Sequence, residues 1–332
     1  MIKKLSCALI ATFVILLGEV SEAQDPIFSQ FYANPLYLNP ALAGSAVCPR
    51  LALNYRNQWP SIAGTYVTYS ASYDQYVDKI SGGIGFQAVS DRAGEGALTT
   101  NYLSGVYSYR LNINRKLTLN AGFQATYMQR RLDWDKLTFP DMIDPKYGFV
   151  NQTMEKQPPK LSIGFADFSS GIVLSNSDYF YTGIAVHHLT QPNEGWYSDI
   201  SSKLDMKLTF HAGGIIDLKR RRSGGRQQED PTLSPNILYQ QQQKFQQINY
   251  GLYFNRYPFV GGLWFRQNFN NPDAFILLAG FQQPSFKIGY SYDLTVSKLT
   301  NITGGAHEIS FSWLFPCPVK KKKVRTINCP SF

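Results

Sequence analysis

From Lys203 to Leu218 the chain alternates with a period of two. Leu204, Met206, Leu208, Phe210, Ala212, Gly214, Ile216 and Leu218 fall on one face, and Lys203, Asp205, Lys207, Thr209, His211, Gly213 and Asp217 on the other, where Ile215 is the exception. Such alternation describes one long strand with an apolar side and a polar side. Strands of soluble domains usually end after about five or six residues. A strand crossing an outer membrane needs about ten, tilted, with lipid on one face and a polar lumen on the other. The pattern therefore predicts a transmembrane all-β chain.

The same reading predicts about fourteen antiparallel strands: 50–57, 65–74, 82–90, 98–111, 116–130, 161–174, 178–187, 203–218, 232–240, 245–255, 259–267, 274–282, 285–294 and 306–315. Leu117, Leu119, Ala121, Phe123, Ala125 and Tyr127 share one face, as do Phe286, Ile288, Tyr290, Tyr292 and Leu294. Segment 274–282 is apolar on both faces and has no clear period. The connections alternate in length, with tight turns at 112–115, 176–177 and 283–284 and long loops at 131–160, 188–202 and 295–305. Outer-membrane barrels have short periplasmic turns and longer external loops, so the parity predicts an even-stranded barrel with periplasmic ends. Two connections on the short-turn side, 75–81 and 219–231, are longer than the rule expects.

Residues 1–23 read as a signal peptide: Lys3 and Lys4 precede an apolar core from Ala8 to Leu17, and Ser21-Glu22-Ala23 offers small residues before Gln24. Residues 24–49 form a non-barrel segment. Its Asn34-Pro35 and Asn39-Pro40 pairs predict turns and non-helical backbone, either hanging in the periplasm or folded against the lumen as a partial plug. The barrel is assigned to 50–315 and a basic periplasmic tail to 316–332. Phe311, Trp313 and Phe315 alternate like an assembly signal placed ahead of that tail. Abundant Tyr and Phe beside a mean hydropathy slightly below zero suit a sheet whose faces separate lipid from water.

The net charge of +9 is concentrated around Arg220, Arg221 and Arg222 and in Lys320, Lys321, Lys322 and Lys323. Export argues against nucleic acid as the partner of these runs, which read as solvated turns or as contacts with an acidic periplasmic protein or anionic headgroups. Cys48, Cys317 and Cys329 remain after the leader, and the sequence leaves open whether any two of them bridge, Cys317 with Cys329 included. The four histidines, His187, His188, His211 and His307, sit in no nucleophile motif. No His/Cys cluster has metal-ligand spacing. Neither a catalytic site nor a cofactor is expected, and the histidines read as polar residues of a lumen or membrane boundary.

Several motifs carry a resemblance. Residues 24–35 read QDPIFSQFYANP and continue through Leu38-Asn39-Pro40-Ala41 to Ala43-Gly44. Further on come Arg56-Asn57-Gln58-Trp59-Pro60, Asp91-Arg92-Ala93-Gly94-Glu95-Gly96, His187-His188-Leu189-Thr190-Gln191-Pro192 and Gly304-Gly305-Ala306-His307-Glu308-Ile309-Ser310. Over nearly the whole mature chain this resembles the PorP/SprF family of outer-membrane proteins tied to the type IX secretion system of Bacteroidota. The resemblance implies a non-enzymatic barrel. It implies support for the secretion and surface anchoring of a substrate with a type B C-terminal domain, such as a large SprB-like gliding adhesin. Periplasmic components of the secretion or gliding machinery are further implied partners, alongside outer-membrane lipid. A passive porin is the alternative. The expected recognition surface is the outer loops at 133–157 and 191–202, with Trp134, Phe139, Tyr147, Phe149, Trp196 and Tyr197 as aromatic anchors, because aromatic rings dominate interface hot spots. The basic groups above are the expected periplasmic contact.

Overall fold

The computed structural model describes residues 25–46, 48–94, 96–114, 116–176, 179–197, 202–218, 230–269, 271–296 and 303–317. Fourteen antiparallel strands close into a barrel. In chain order they are β1 (Arg50–Gln58), β2 (Tyr66–Val77), β3 (Gly82–Ala93), β4 (Leu98–Asn112), β5 (Leu117–Leu132), β6 (Ser162–Asn176) and β7 (Phe180–His187). The second half comprises β8 (Lys207–Gly214), β9 (Thr232–Gln242), β10 (Phe245–Arg256), β11 (Phe259–Asn268), β12 (Pro272–Gln282), β13 (Phe286–Thr295) and β14 (Ala306–Leu314). Each strand pairs with its neighbours in sequence, and β1 pairs with β14, from Arg50 opposite Leu314 to Gln58 opposite Ala306. No edge is left among the described strands, so the backbone polar groups are satisfied within the ring, as a bilayer requires.

The alternation sorts side chains to the two surfaces. Phe86, Leu103, Phe123 and Tyr127 project from the outer surface, whereas Gln87, Ser104, Gln124 and Thr126 are buried inside. On the outer surface at the short-turn end, Phe259, Phe281, Phe286 and Trp313 form a chain of ring contacts at 5.8–6.2 Å. Aromatic belts of this kind mark a membrane–water boundary. No helix among the described residues is long and apolar enough to cross a membrane.

Two expectations are revised and a third reading is explained. The strand read as 203–218 begins only at Lys207 and is interrupted at Ile215, resuming for Ile216–Asp217. Before it, Lys203 forms an isolated bridge with Asn193 and Leu204 is buried beneath the loop, so the alternation there belongs to the loop rim. The connection read as 75–81 shortens to a single helical turn, Asp78–Ile80, closed by Ser81, because β2 runs on to Val77. The other long short-side connection lies outside the described residues from 219 to 229. Finally, β12 is apolar on both faces for a structural reason: Phe275 and Leu277 face outward, while Ile276 and Leu278 pack against an apolar filling of the lumen.

That filling is the segment before β1. Phe31, Tyr32, Leu38, Ala41 and Leu42 join Val173 of β6, Tyr181 of β7, Leu238 of β9, Tyr253 of β10, Trp264 of β11 and Ile276 of β12 in one buried cluster. Fully burying side chains of this size contributes roughly 1.5–3 kcal/mol each. The Asn-Pro pairs start short helical turns instead of excluding them. Pro35 opens Pro35–Leu38 and Pro40 opens Pro40–Leu42, because a proline ring is preset for the first helical position. Asn39 is the extended residue before the second turn, and its side-chain oxygen accepts from the Ala41 amide at 2.9 Å. The wall makes room by omitting side chains: a Cβ on Gly122 would collide with the Pro40–Ala41 backbone, and one on Gly83 with that of Ala43 and Gly44.

Candidate functional site

The inward alternation of adjacent strands places single charges side by side. Arg56 of β1 meets Asp293 of β13 at 3.1 Å and Glu308 of β14 at 3.3 Å, and Arg266 of β11 meets the same Asp293 at 2.9 Å. All four are buried. Charges buried this deeply persist only when their hydrogen-bonding capacity is largely filled, and the N-terminal segment helps to fill it. The Ser29 hydroxyl donates to Asp293 at 2.6 Å and accepts from Arg56 at 2.6 Å. The Ser29 and Gln30 amides donate to the two carboxylate oxygens of Glu308 at 2.6 and 3.1 Å. Gln30 also donates to Ser291 and accepts from Ser310.

A second cluster lies toward the long-loop end. His188, just beyond β7 and at φ 59°, has one ring nitrogen 2.9 Å from Asp167 of β6 and the other 2.8 Å from Asp25. Lys207 of β8 approaches the same Asp25 oxygen at 3.5 Å. Burial alone would push the imidazole toward the neutral form, but the two carboxylates outweigh it and hold its pKa up at about 10. Burial likewise opposes ionisation of Asp25, yet His188 and Lys207 keep its carboxyl well below the usual range. With both ring nitrogens engaged by carboxylates, His188 has none free to activate a nucleophile. Deeper in the lumen, the Asn39 amide lies 3.1 Å from Nε2 of His211. His307 pairs with the Tyr290 hydroxyl at 2.8 Å. Among the described residues no group of three His, Cys, Asp or Glu side chains is placed to hold a metal ion.

The N-terminal segment therefore runs the length of the lumen. Asp25 is level with the long-loop ends of β8 and β9, where its amide donates to Gln242. Gly44 is level with the short turns, where its amide donates to Asp74 and its carbonyl accepts from Arg110. Just below, Cys48 is bonded to Cys317, with Cα atoms 4.8 Å apart, so the bridge ties the segment to the residues after β14. Of the pairings the sequence left open, this is the one formed. Cys329 lies outside the described residues.

Above the filled lumen, the two longest described loops converge. Arg130, near the end of β5, forms an ion pair with Glu194 of the β7–β8 loop. The Tyr197 hydroxyl donates to the Lys156 carbonyl of the β5–β6 loop at 2.8 Å. Trp134 and Phe139 form a tilted ring pair at 4.9 Å, both half-buried. Tyr147 and Phe149 are exposed on a small ribbon in which Ile143–Asp144 pairs with Gly148–Phe149. Trp196 is half-buried beside Tyr197. Among the described residues no other ring pair links these six side chains. Arg220, Arg221, Arg222, Lys320, Lys321, Lys322 and Lys323 lie outside the described residues.

Sequence reasoning missed the lumen clusters. The available signal was a charge at an inward alternate position, as with Arg56, Asp293 and Glu308. Only closure of β14 onto β1 brings those three together.

No curated protein matches the chain. Among solved structures it is similar to the toluene transporter TbuX of Ralstonia pickettii, with 11% identity, a TM-score of 0.49, and 85% of this chain and 93% of that one covered. It is also similar to a mutant of the TodX monoaromatic hydrocarbon channel (10%, 0.45, 84% and 94%) and to a FadL homologue of Pseudomonas aeruginosa (12%, 0.42, 84% and 93%). At these scores the similarities say nothing about what the present barrel carries. Residues 20–313 match the family described as type IX secretion system membrane protein PorP/SprF. With a match running from before Asp25 to Trp313, near the end of β14, this outer-membrane barrel belongs to the PorP/SprF family of the type IX secretion system.

Proposed function

We propose that the protein is a closed, non-enzymatic docking barrel that supports export of a type IX substrate and holds it at the cell surface. The substrate class is a secreted protein with a type B C-terminal domain, a large gliding adhesin among them. The observation that carries this reading is the filled lumen. From Asp25 to Gly44 the interior is occupied by a segment bonded to strands around the ring, which favours a platform over a passive porin. The converging loops supply the docking face, with Trp134, Phe139, Tyr147, Phe149, Trp196 and Tyr197 as its anchors. Rigid aromatic side chains bury large area at low entropic cost.

In this reading residues 1–23 are a removed leader, 24–49 fill the lumen, 50–315 form the wall and 316–332 reach into the periplasm. The basic groups at Arg220–Arg222 and Lys320–Lys323 then contact periplasmic machinery, and neutralising them weakens co-purification in a salt-dependent way. The direct test of the docking face is a Trp134→Ala/Trp196→Ala double variant. The expected result is release of the secreted partner into the medium with unchanged barrel in the outer membrane. Unchanged surface retention of the partner contradicts the site.

A further inference from the structure

Between the N-terminal segment and the converging loops lies a cavity of about 440 Å³. Its floor includes Pro26 and Ile27, and its wall is the long-loop ends of β1 to β5. The Tyr37 hydroxyl donates to the Pro26 carbonyl at 2.6 Å and fixes that floor. Most charges around the cup are already matched: Asp25 by His188 and Lys207, Arg56 by Asp293 and Glu308, Arg130 by Glu194. Asp91 is different. It faces inward from β3 and is half-buried, and its bond from the Thr68 hydroxyl at 2.6 Å engages one carboxylate oxygen. Among the described residues no cation lies within ion-pair distance of it. Around it stand Trp59 and Tyr66, in edge contact at 5.6 Å, and Tyr102.

A partly buried carboxylate with no cation in contact is costly, and aromatic rings attract cations that come into contact with their faces. The cup therefore has the chemistry of a socket for a cationic side chain. We propose that it receives a lysine or arginine side chain from a basic segment of the secreted partner, which pairs with Asp91 among Trp59, Tyr66 and Tyr102. This rests on the docking reading above and names the partner chemistry of that face. Pro26 and Ile27 line the cup on its inner side, so the side chain enters from the loop end.

The test uses the full-length barrel in detergent, titrated with tetralysine and with tetraglutamate while tryptophan fluorescence is followed. Wild type is expected to bind tetralysine saturably and tetraglutamate not at all. Asp91→Asn should weaken tetralysine by at least about tenfold, as loss of one member of a desolvated charge pair does, while Asp91→Glu retains most of the affinity. Trp59→Phe should remove most of the optical signal. Equal affinity of wild type and Asp91→Asn, or of the two peptides, overturns the proposal. If the Trp134→Ala/Trp196→Ala variant releases the partner but Asp91→Asn binds tetralysine like wild type, the cup fails and the docking face stands. If retention is unchanged in the double variant but Asp91→Asn loses tetralysine, the aromatic loop face fails and the cup stands.

Discussion

The backbone amide of Ser29 donates a 2.6 Å hydrogen bond to Oε2 of Glu308, joining residues 279 apart in the chain. One end is the segment that fills the lumen, and the other is the strand that closes the barrel. The same carboxylate neutralises Arg56 on β1, so the closing seam and the internal segment share one charge cluster. Glu308→Ala should loosen both. Removing one partner of a buried ion pair costs about 3–5 kcal/mol, and the loss should appear as a lower thermal unfolding midpoint. Glu308→Gln, which keeps acceptor capacity without the charge, should lie between that variant and wild type.

Gly122 tests the segment without touching a charge. A valine there points its side chain into the Pro40–Ala41 backbone, while the strand itself favours β-branched residues. Gly122→Val should leave the barrel folded and expel part of the segment. Limited proteolysis should then cut between Asp25 and Gly44 in the variant but not in wild type. Equal resistance in both proteins argues that the segment has no fixed seat.

The pH dependence follows from His188 and Asp25. The folded imidazole titrates near 10, above its ordinary 6.5, so its contribution is complete below 6.5 and is lost as pH rises through 10. The Asp25 carboxyl is depressed, so its contribution is complete above its ordinary 3.8 and is lost only in strong acid. Protease resistance of the segment should therefore be flat near neutrality and fall on the alkaline side between about 6.5 and 10. His188→Asn should be less resistant near neutrality and show little alkaline fall. An identical alkaline fall in the variant would exclude His188 as its source.

The Cys48–Cys317 bridge closes a separation of 269 residues. Peptide mapping without reductant should recover these two cysteines linked. Replacing both by serine should cost about 2–4 kcal/mol, read as a lower midpoint in heat-dependent gel mobility. Recovery of a Cys317–Cys329 peptide instead would contradict the pairing.

The wall was legible in the sequence because lipid and lumen impose opposite polarity at successive residues, and Phe123 and Gln124 of β5 obey that directly. The pattern misled where polarity had another cause. Leu204 is apolar because it is buried under a loop, which extended β8 too far back. Ile276 and Leu278 are apolar because the lumen beside them is filled, which blurred β12. The route of residues 25–46 was not legible, because its short turns have no period and its hydrogen-bond partners are spread over strands all around the ring. The pairs Ser29–Glu308, Asp25–His188 and Cys48–Cys317 all join residues distant in the chain, and each exists only once the ring has closed around the segment. Residue type alone marks the six aromatic loop anchors in the sequence, and says nothing of how they are arranged. The structure pairs Trp134 with Phe139 and ties Tyr197 to the neighbouring loop, while Tyr147 and Phe149 are exposed on their ribbon, Tyr147 beneath the Lys146 ammonium.

The central claim is that the barrel is closed and serves as a platform. Planar-bilayer recording of the purified wild-type protein tests it most directly, with Gly122→Val as the opened comparison. The account predicts a near-baseline current for wild type and steady channel currents for the variant. Large, steady open currents from the wild-type barrel would contradict it.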